Sequence, residues 1–366
     1  MAPRPMDLKQ IAGRLEDSVR LPRMVIASVV LGVIVGVVVA GFDYLVIEIL
    51  LHELLHQPLW FQAGAPFVGL VAAAAILHWV GGGATPSTSD EYVRAVHDRT
   101  PNLPLRELPA KLLAGVATIG AGGSVGLEGP SIYAGATMGQ ALQDSLGTFF
   151  RRDEQKILLT AGAAAGVAAI FKTPATGVMF ALEAPYRDDV SRRALLPALF
   201  ASAASFLVFA ALIGTDPVFP TLGTTDRQID IVDLLGGAVI GLVAGLAGRA
   251  YAWLVRQAKG LSADVPLVQR LVGAGVLLGG MVVAADAIFD DAITLGPGLE
   301  AVAWLREGDR GLGLIAGLFA LQLAATLTTI AGGGTGGLFI PLAVQGVIMG
   351  TFIGEVLGEE QTSLYP

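Results

Sequence analysis

Apolar residues in this chain come in long blocks rather than in alternation. Residues 24–42 carry no charge and are long enough to cross a bilayer as one helix. Further apolar blocks follow at about 64–80, 110–126, 131–149, 156–171, 173–186, 193–214, 232–255, 267–288, 311–331 and 336–357. Several are too short to span alone and are interrupted by Gly and Pro, the pattern of broken or re-entrant helices. The expected fold class is an all-α polytopic membrane protein.

One thirteen-residue stretch occurs twice. Residues 118–130 read TIGAGGSVGLEGP and residues 329–341 read TIAGGGTGGLFIP, roughly 211 positions apart and without a gap. A second pairing supports the repeat. Gly32 and Gly36 precede Tyr44-Leu45-Val46, as Gly241 and Gly245 precede Trp253-Leu254-Val255, at a nearly equal offset. Glycines four apart let helix backbones approach closely, so packing is their expected role. The organisation expected is an N-terminal segment at 1–22, a first membrane repeat at 23–214, a connection at 215–231 and a second repeat at 232–366. The partner of residues 161–183 would begin near residue 372 (the observed offset applied once more), so the second repeat is expected to be incomplete at its C-terminal end.

Composition agrees with a membrane protein. Of 366 residues, 54% are hydrophobic and 15% charged, and the mean hydropathy is +0.67. The net charge of −8 comes from acids placed mostly in connections, among them Asp90, Glu91, Asp188, Asp189, Asp286, Asp290 and Asp291. No feature suggests nucleic-acid binding, and the absence of Cys removes disulfides and thiolate metal sites. Arg4, Lys9, Arg14, Arg20 and Arg23 precede the first span, so the N-terminus is expected in the cytoplasm; the plasma (inner) membrane is the expected location.

The duplicated breaks suit an anion. A helix N-terminus offers unpaired N–H groups and about half a positive charge. Pro130 and Pro341 fit first-turn positions, and the glycines before them let the backbone approach a ligand. Glu128 lies within the first break. Its carboxylate could occupy the anion seat and swing away on protonation or displacement, acting as a gate, a proton carrier, or both. Lys111 follows Pro109 in an apolar block, where it either adds positive potential to the pathway or reaches to an interface. Ser124 and Thr335 are expected to cap the breaks or line the path. Asp43 and Glu48 are expected to mark the end of the first span.

Two other motifs compete. His52-Glu53-Leu54-Leu55-His56 is an HExxH, which on a membrane helix can bind zinc with Glu as general base, as in intramembrane metalloproteases. A third ligand is then needed, and no Asp-Gly pair occurs in the chain. Gly122-Gly123-Ser124-Val125-Gly126 is formally a G-x-S-x-G, but a hydrolase elbow needs a strand before the Ser, and the repeat places Thr335 at the same position.

The motifs resemble those of the CLC family of chloride channels and proton/chloride antiporters. Gly126-Leu127-Glu128-Gly129-Pro130 is similar to its Gly-(Lys/Arg)-Glu-Gly-Pro. Gly337-Leu338-Phe339-Ile340-Pro341 is similar to its Gly-x-Phe-x-Pro, and Leu108-Pro109-Ala110-Lys111 to its Leu-Pro-x-Lys. Residues 161–183 resemble its Ala/Gly-rich helix pair. The resemblance implies a homodimer with one pore per subunit, no cofactor, no enzymatic activity, and chloride or another small anion as the substrate. It implies that the two repeats are of inverted topology, that Glu128 gates the pore and that Gly83, Gly126, Gly129, Gly337, Phe339 and Ile340 contact the anion. Gly83 falls in the loop Gly82-Gly83-Ala84-Thr85-Pro86, where the family has a serine, so fluoride or nitrate remains an alternative substrate. Ala184 follows Glu183 where the antiporters carry an internal glutamate, which favours a channel over a proton-coupled antiporter. Leu127 replaces a basic residue of the first motif.

Overall fold

Helices account for almost all regular structure. The computed structural model describes residues 8–99, 102–147, 156–186, 192–219, 231–308 and 310–357. Arg4, Asp188, Asp189, most of the 215–231 connection and the last nine residues lie outside the described set. The helices are α1 (Leu8–Asp43), α2 (His52–Leu55), α3 (Leu59–Trp79), α4 (Ser89–His97), α5 (Leu108–Gly120), α6 (Glu128–Ser145) and α7 (Ile157–Phe171). They continue with α8 (Pro174–Glu183), α9 (Leu195–Ile213), α10 (Ile231–Asp264), α11 (Leu267–Phe289), α12 (Leu299–Arg306), α13 (Leu312–Ala331) and α14 (Phe339–Leu357). Among the described residues, seven helical stretches are long and apolar enough to cross a membrane, from Pro22–Leu55 to Phe339–Val356. The protein is an all-helical membrane protein, as its apolar blocks predict.

The first span differs from expectation at its far end. Asp43 and Glu48 do not terminate it. The helix widens into a π-helical stretch at Tyr44–Leu51 and continues through α2. Glu48 is exposed, so the turn carries its charge without burying it. Asp286 likewise sits inside α11, near its end, and not in a connection.

Contacts divide the chain into two units that interleave in sequence. The first contains residues 1–40, 90–105 and 131–215. Its centre is α7, whose residues from Ile157 to Ile170 are all buried, and which packs on α8 and α9. Ala and Gly allow this because helix backbones meet directly. A Cβ on Gly135 would strike the Gly162 carbonyl, and one on Gly162 the Gly135 carbonyl. Gly32 and Gly36 lie against the backbone carbonyls of Ala201 and Ser205 on α9, which confirms packing as their role. Between α7 and α8 the chain turns at Lys172, a left-handed residue with φ 55°. Thr173 is extended, as a residue before proline prefers, and Pro174 opens α8.

The second unit contains residues 41–89, 106–130 and 216–366. Here α3 packs on α5 and α11, and α13 on α10, α11 and α14. Leu70, Leu271, Ala274, Leu278 and Ala325 form one buried cluster, and Ala73, Leu77 and Ala114 another. Trp60 and Trp79 are exposed at opposite ends of α3, where amphipathic rings suit the two membrane interfaces. Gly241 and Gly245, unlike Gly32 and Gly36, have nothing within 4 Å of their Cβ directions. The packing expected of this second pair is absent among the described residues.

Candidate functional site

Both duplicated breaks lie in the second unit, and they are cross-bonded to each other. Each begins with a helix end, α5 or α13, followed by a glycine in the left-handed region, Gly122 (φ +88°) or Gly333 (φ +83°). The next glycine folds back: Gly123 N–H donates to Thr118 O at 2.8 Å, and Gly334 N–H to Thr329 O at 2.9 Å. The residue after that reaches across. Ser124 N–H donates to Thr329 Oγ1 at 3.1 Å, and Thr335 N–H donates to Thr118 Oγ1 at 3.1 Å. Each threonine hydroxyl in turn donates to its own helix, Thr118 to Ala114 O and Thr329 to Ala325 O. Gly126 and Gly337 then exchange both backbone bonds, at 2.8 and 2.6 Å, as an isolated antiparallel bridge. Every donor and acceptor in this scheme has a counterpart 211 residues away. Reciprocal bonds of this kind require a local two-fold relation between the breaks. The threonines satisfy buried N–H groups that the broken helices leave without a partner of their own.

Beyond the bridge, two helices start at equivalent places: α6 at Glu128 and α14 at Phe339. Pro130 and Pro341 fall in their first turns, as the sequence predicts. The Glu128 side chain is fully buried, and its Oε1 accepts from the N–H groups of Phe339 at 2.5 Å and Ile340 at 3.4 Å. These are first-turn donors of α14, which have no partner within the helix. Oε2 has none. Space for the carboxyl depends on glycine: a Cβ on Gly126 or on Gly337 would strike it. The positive end of α14 therefore holds one negative group in a glycine-walled cradle.

Other expected residues are placed as follows. Gly129 contacts Thr88 Oγ1 and the Gly336 carbonyl along its Cβ direction. Lys111 is fully buried, so it does not reach an interface; its Nζ donates to Ser87 O at 2.7 Å. Gly83 is exposed, and its N–H donates to the Leu77 and His78 carbonyls at 3.1 Å, closing the end of α3. No described contact joins it to Glu128. Ser124 and Thr335 do not cap the breaks with their hydroxyls. Ser124 Oγ pairs with Thr326 Oγ1 at 3.0 Å and accepts from Gln322 Nε2 at 3.1 Å, while Thr335 Oγ1 has no partner. No histidine joins Ser124, so the G-x-S-x-G pattern is part of a helix break. At the HExxH, no group of three or more His, Cys, Asp or Glu able to hold a metal is found among the described residues.

Four contributors were not singled out from sequence. Thr88, buried, donates to Gly336 O at 3.4 Å and ties the loop after α3 to the second break. Gln322 stands where the repeat places a counterpart of Lys111, and its Oε1 is buried without a partner. The bonding role of Thr118 and Thr329 was hidden in their identity. The repeat offset carried the signal for Gln322 and the threonines; nothing in the sequence marked Thr88.

Comparisons with known proteins agree with this architecture. The model of the family described as voltage gated chloride channel matches residues 68–365. The H(+)/Cl(-) exchange transporter ClcA of Salmonella typhimurium (strain LT2) is 26% identical over 360 residues, covering 92% of this chain and 73% of the relative; that of Salmonella typhi matches equally. A slow cyanobacterial Cl-/H+ antiporter shares the fold at TM-score 0.77 and 23% identity, over 92% of this chain and 80% of the other. A CLC-type fluoride/proton antiporter does so at TM-score 0.77 and 24% identity, over 94% and 84%.

Proposed function

The chain belongs to the voltage gated chloride channel family, and from that premise we propose that it exchanges a small anion, chloride first, for protons across the membrane. The observation that carries this reading is the Glu128 carboxylate seated on the Phe339 and Ile340 N–H groups. An incoming anion competes for the same donors. Protonation of Glu128 removes the charge that holds it there, and the neutral side chain yields the seat. Anion movement and proton movement then share one residue. The backbone groups at Gly126, Gly129, Gly337, Phe339 and Ile340 form the seat, and Lys111 adds positive potential. The relatives named above are exchangers, which supports exchange over a channel gated by Glu128 alone, even with Ala184 in place of an internal acid. We further propose a homodimer with cytoplasmic N-termini, the latter on the five basic residues before the first span. The fluoride/proton antiporter likeness keeps fluoride as the second substrate to test.

Purified protein in vesicles, loaded with a pH probe and given a chloride gradient, tests the reading. Chloride movement should drive protons the other way. Glu128→Gln should keep chloride flux and lower proton flux about 100-fold, the scale of losing a positioned proton carrier. Absence of chloride flux from folded protein overturns anion transport. Chloride flux without proton movement in the unaltered protein overturns exchange in favour of a channel.

A further inference from the structure

The functional reading leaves unused the polar end of the first span. His52 opens α2 and His56 closes it, both exposed, with ring centroids 4.5 Å apart and planes tilted by 54°. His56 Nδ1 lies 2.7 Å from the His52 carbonyl oxygen. A carbonyl only accepts, so Nδ1 carries the hydrogen and Nε2 the lone pair. A backbone carbonyl holding one ring N–H is the arrangement that fixes the tautomer of metal-ligating histidines. Two rings this close can share one ion at about 2.0–2.1 Å from each nitrogen after a small rotation.

The surroundings favour a cation. Glu300 lies within electrostatic reach of His52, and Asp291 and Glu307 lie near Glu300. Burial and these two carboxylates raise the proton affinity of Glu300, and His52 lowers it. Since no third protein ligand converges among the described residues, water or chloride would complete the coordination. Imidazole nitrogens select Zn2+, Cu2+ or Ni2+ over Ca2+ and Mg2+.

This segment also bears directly on the first break. The Leu54 side chain lies 3.1 Å from where a Gly122 Cβ would be, beside Leu295 at 2.5 Å, while Leu50 fills the place of a Gly120 Cβ and Leu51 that of a Gly296 Cβ. Gly296 N–H donates to Gly122 O at 3.0 Å. Residues 50–54 therefore wedge the left-handed turn from which the chain runs to Glu128. An ion bridging positions 52 and 56 holds α2 in α-helical register beside the π-helical stretch. That fixes Leu54 against Gly122.

We propose that His52 and His56 form a site for a divalent transition ion of the Zn2+ type, and that its occupation slows transport by clamping the turn at Gly122. The second half rests on the function proposed above; the first does not. Tag-free protein titrated with zinc sulfate by calorimetry should bind one ion per chain. His52→Gln and His56→Gln should each weaken binding about tenfold or more. The double variant, checked for folding by thermal unfolding, should bind none. In vesicles, Zn2+ should reduce anion flux severalfold in the unaltered protein and not in the double variant, while Leu54→Ala should bind Zn2+ yet lose the inhibition. Equal binding by the double variant, or an equal effect of Mg2+, overturns the site. Binding without inhibition of an active protein overturns the clamp. Zn2+ binding by a protein that carries no anion supports the site and counts against the transport reading alone.

Discussion

The two helix breaks share a backbone and differ in whether a carboxylate stands at the first helical position. Thr118 and Thr329, Gly122 and Gly333, Gly126 and Gly337 make matching bonds in both copies. At the first helical position, however, one copy has Glu128 and the other Phe339. The Glu128 carboxylate enters the space the two copies make, and its Oε1 accepts from amides of the opposite copy. A symmetric scaffold gives two helix N-termini; a single side-chain difference sets the carboxylate that opens one helix against the amides that open the other. A second asymmetry lies one helix back, where Lys111 bonds a loop carbonyl and its counterpart Gln322 bonds Ser124.

The comparison of the breaks can be broken most severely at the glycine bridge. Gly337→Ala places a methyl where the Glu128 carboxyl lies, and Gly126→Ala does the same from the other side. Each is expected to destabilise by about 3 kcal/mol, the upper range of overpacking, and to expel the carboxylate. Thermal unfolding in detergent measures the first effect, and flux that no longer responds to pH the second. Next come Thr118→Val and Thr329→Val. Each strands one buried N–H, that of Thr335 or of Ser124, and each should cost about 2 kcal/mol. Equal losses would support the two-fold relation, and a large inequality would contradict it. The smallest effect is expected from Gln322→Leu, about 1 kcal/mol or less. It removes one bond to Ser124 but also removes the unpartnered Oε1.

The packing of the paired glycines adds a second lesson. Gly32 and Gly36 lie against α9, whereas Gly241 and Gly245 have nothing within 4 Å of their Cβ directions among the described residues. Identical spacing in sequence thus marks a helix able to be approached closely, and does not say whether another helix does so. The same limit applied at Gly83. Its loop read as part of the anion seat, but its N–H closes the end of α3, because a helix C-terminus leaves carbonyls that need donors. Thr88 ties that loop to the second break instead.

The sequence by itself determined the all-helical membrane class, the two breaks, their Pro-started helices and the choice of Glu128. These are local properties. Length of an apolar run decides whether a helix can span, and Gly and Pro act on the backbone at their own positions. Tertiary structure alone decided that the breaks bond reciprocally, that Lys111 is buried, and that the Glu128 carboxylate faces the amides of residues 339 and 340. Such facts depend on which buried donors meet which acceptors across some two hundred residues. In a nonpolar interior an unpaired backbone group is costly, so backbone donors and acceptors are satisfied within the protein, and only the assembled fold sets the pairs.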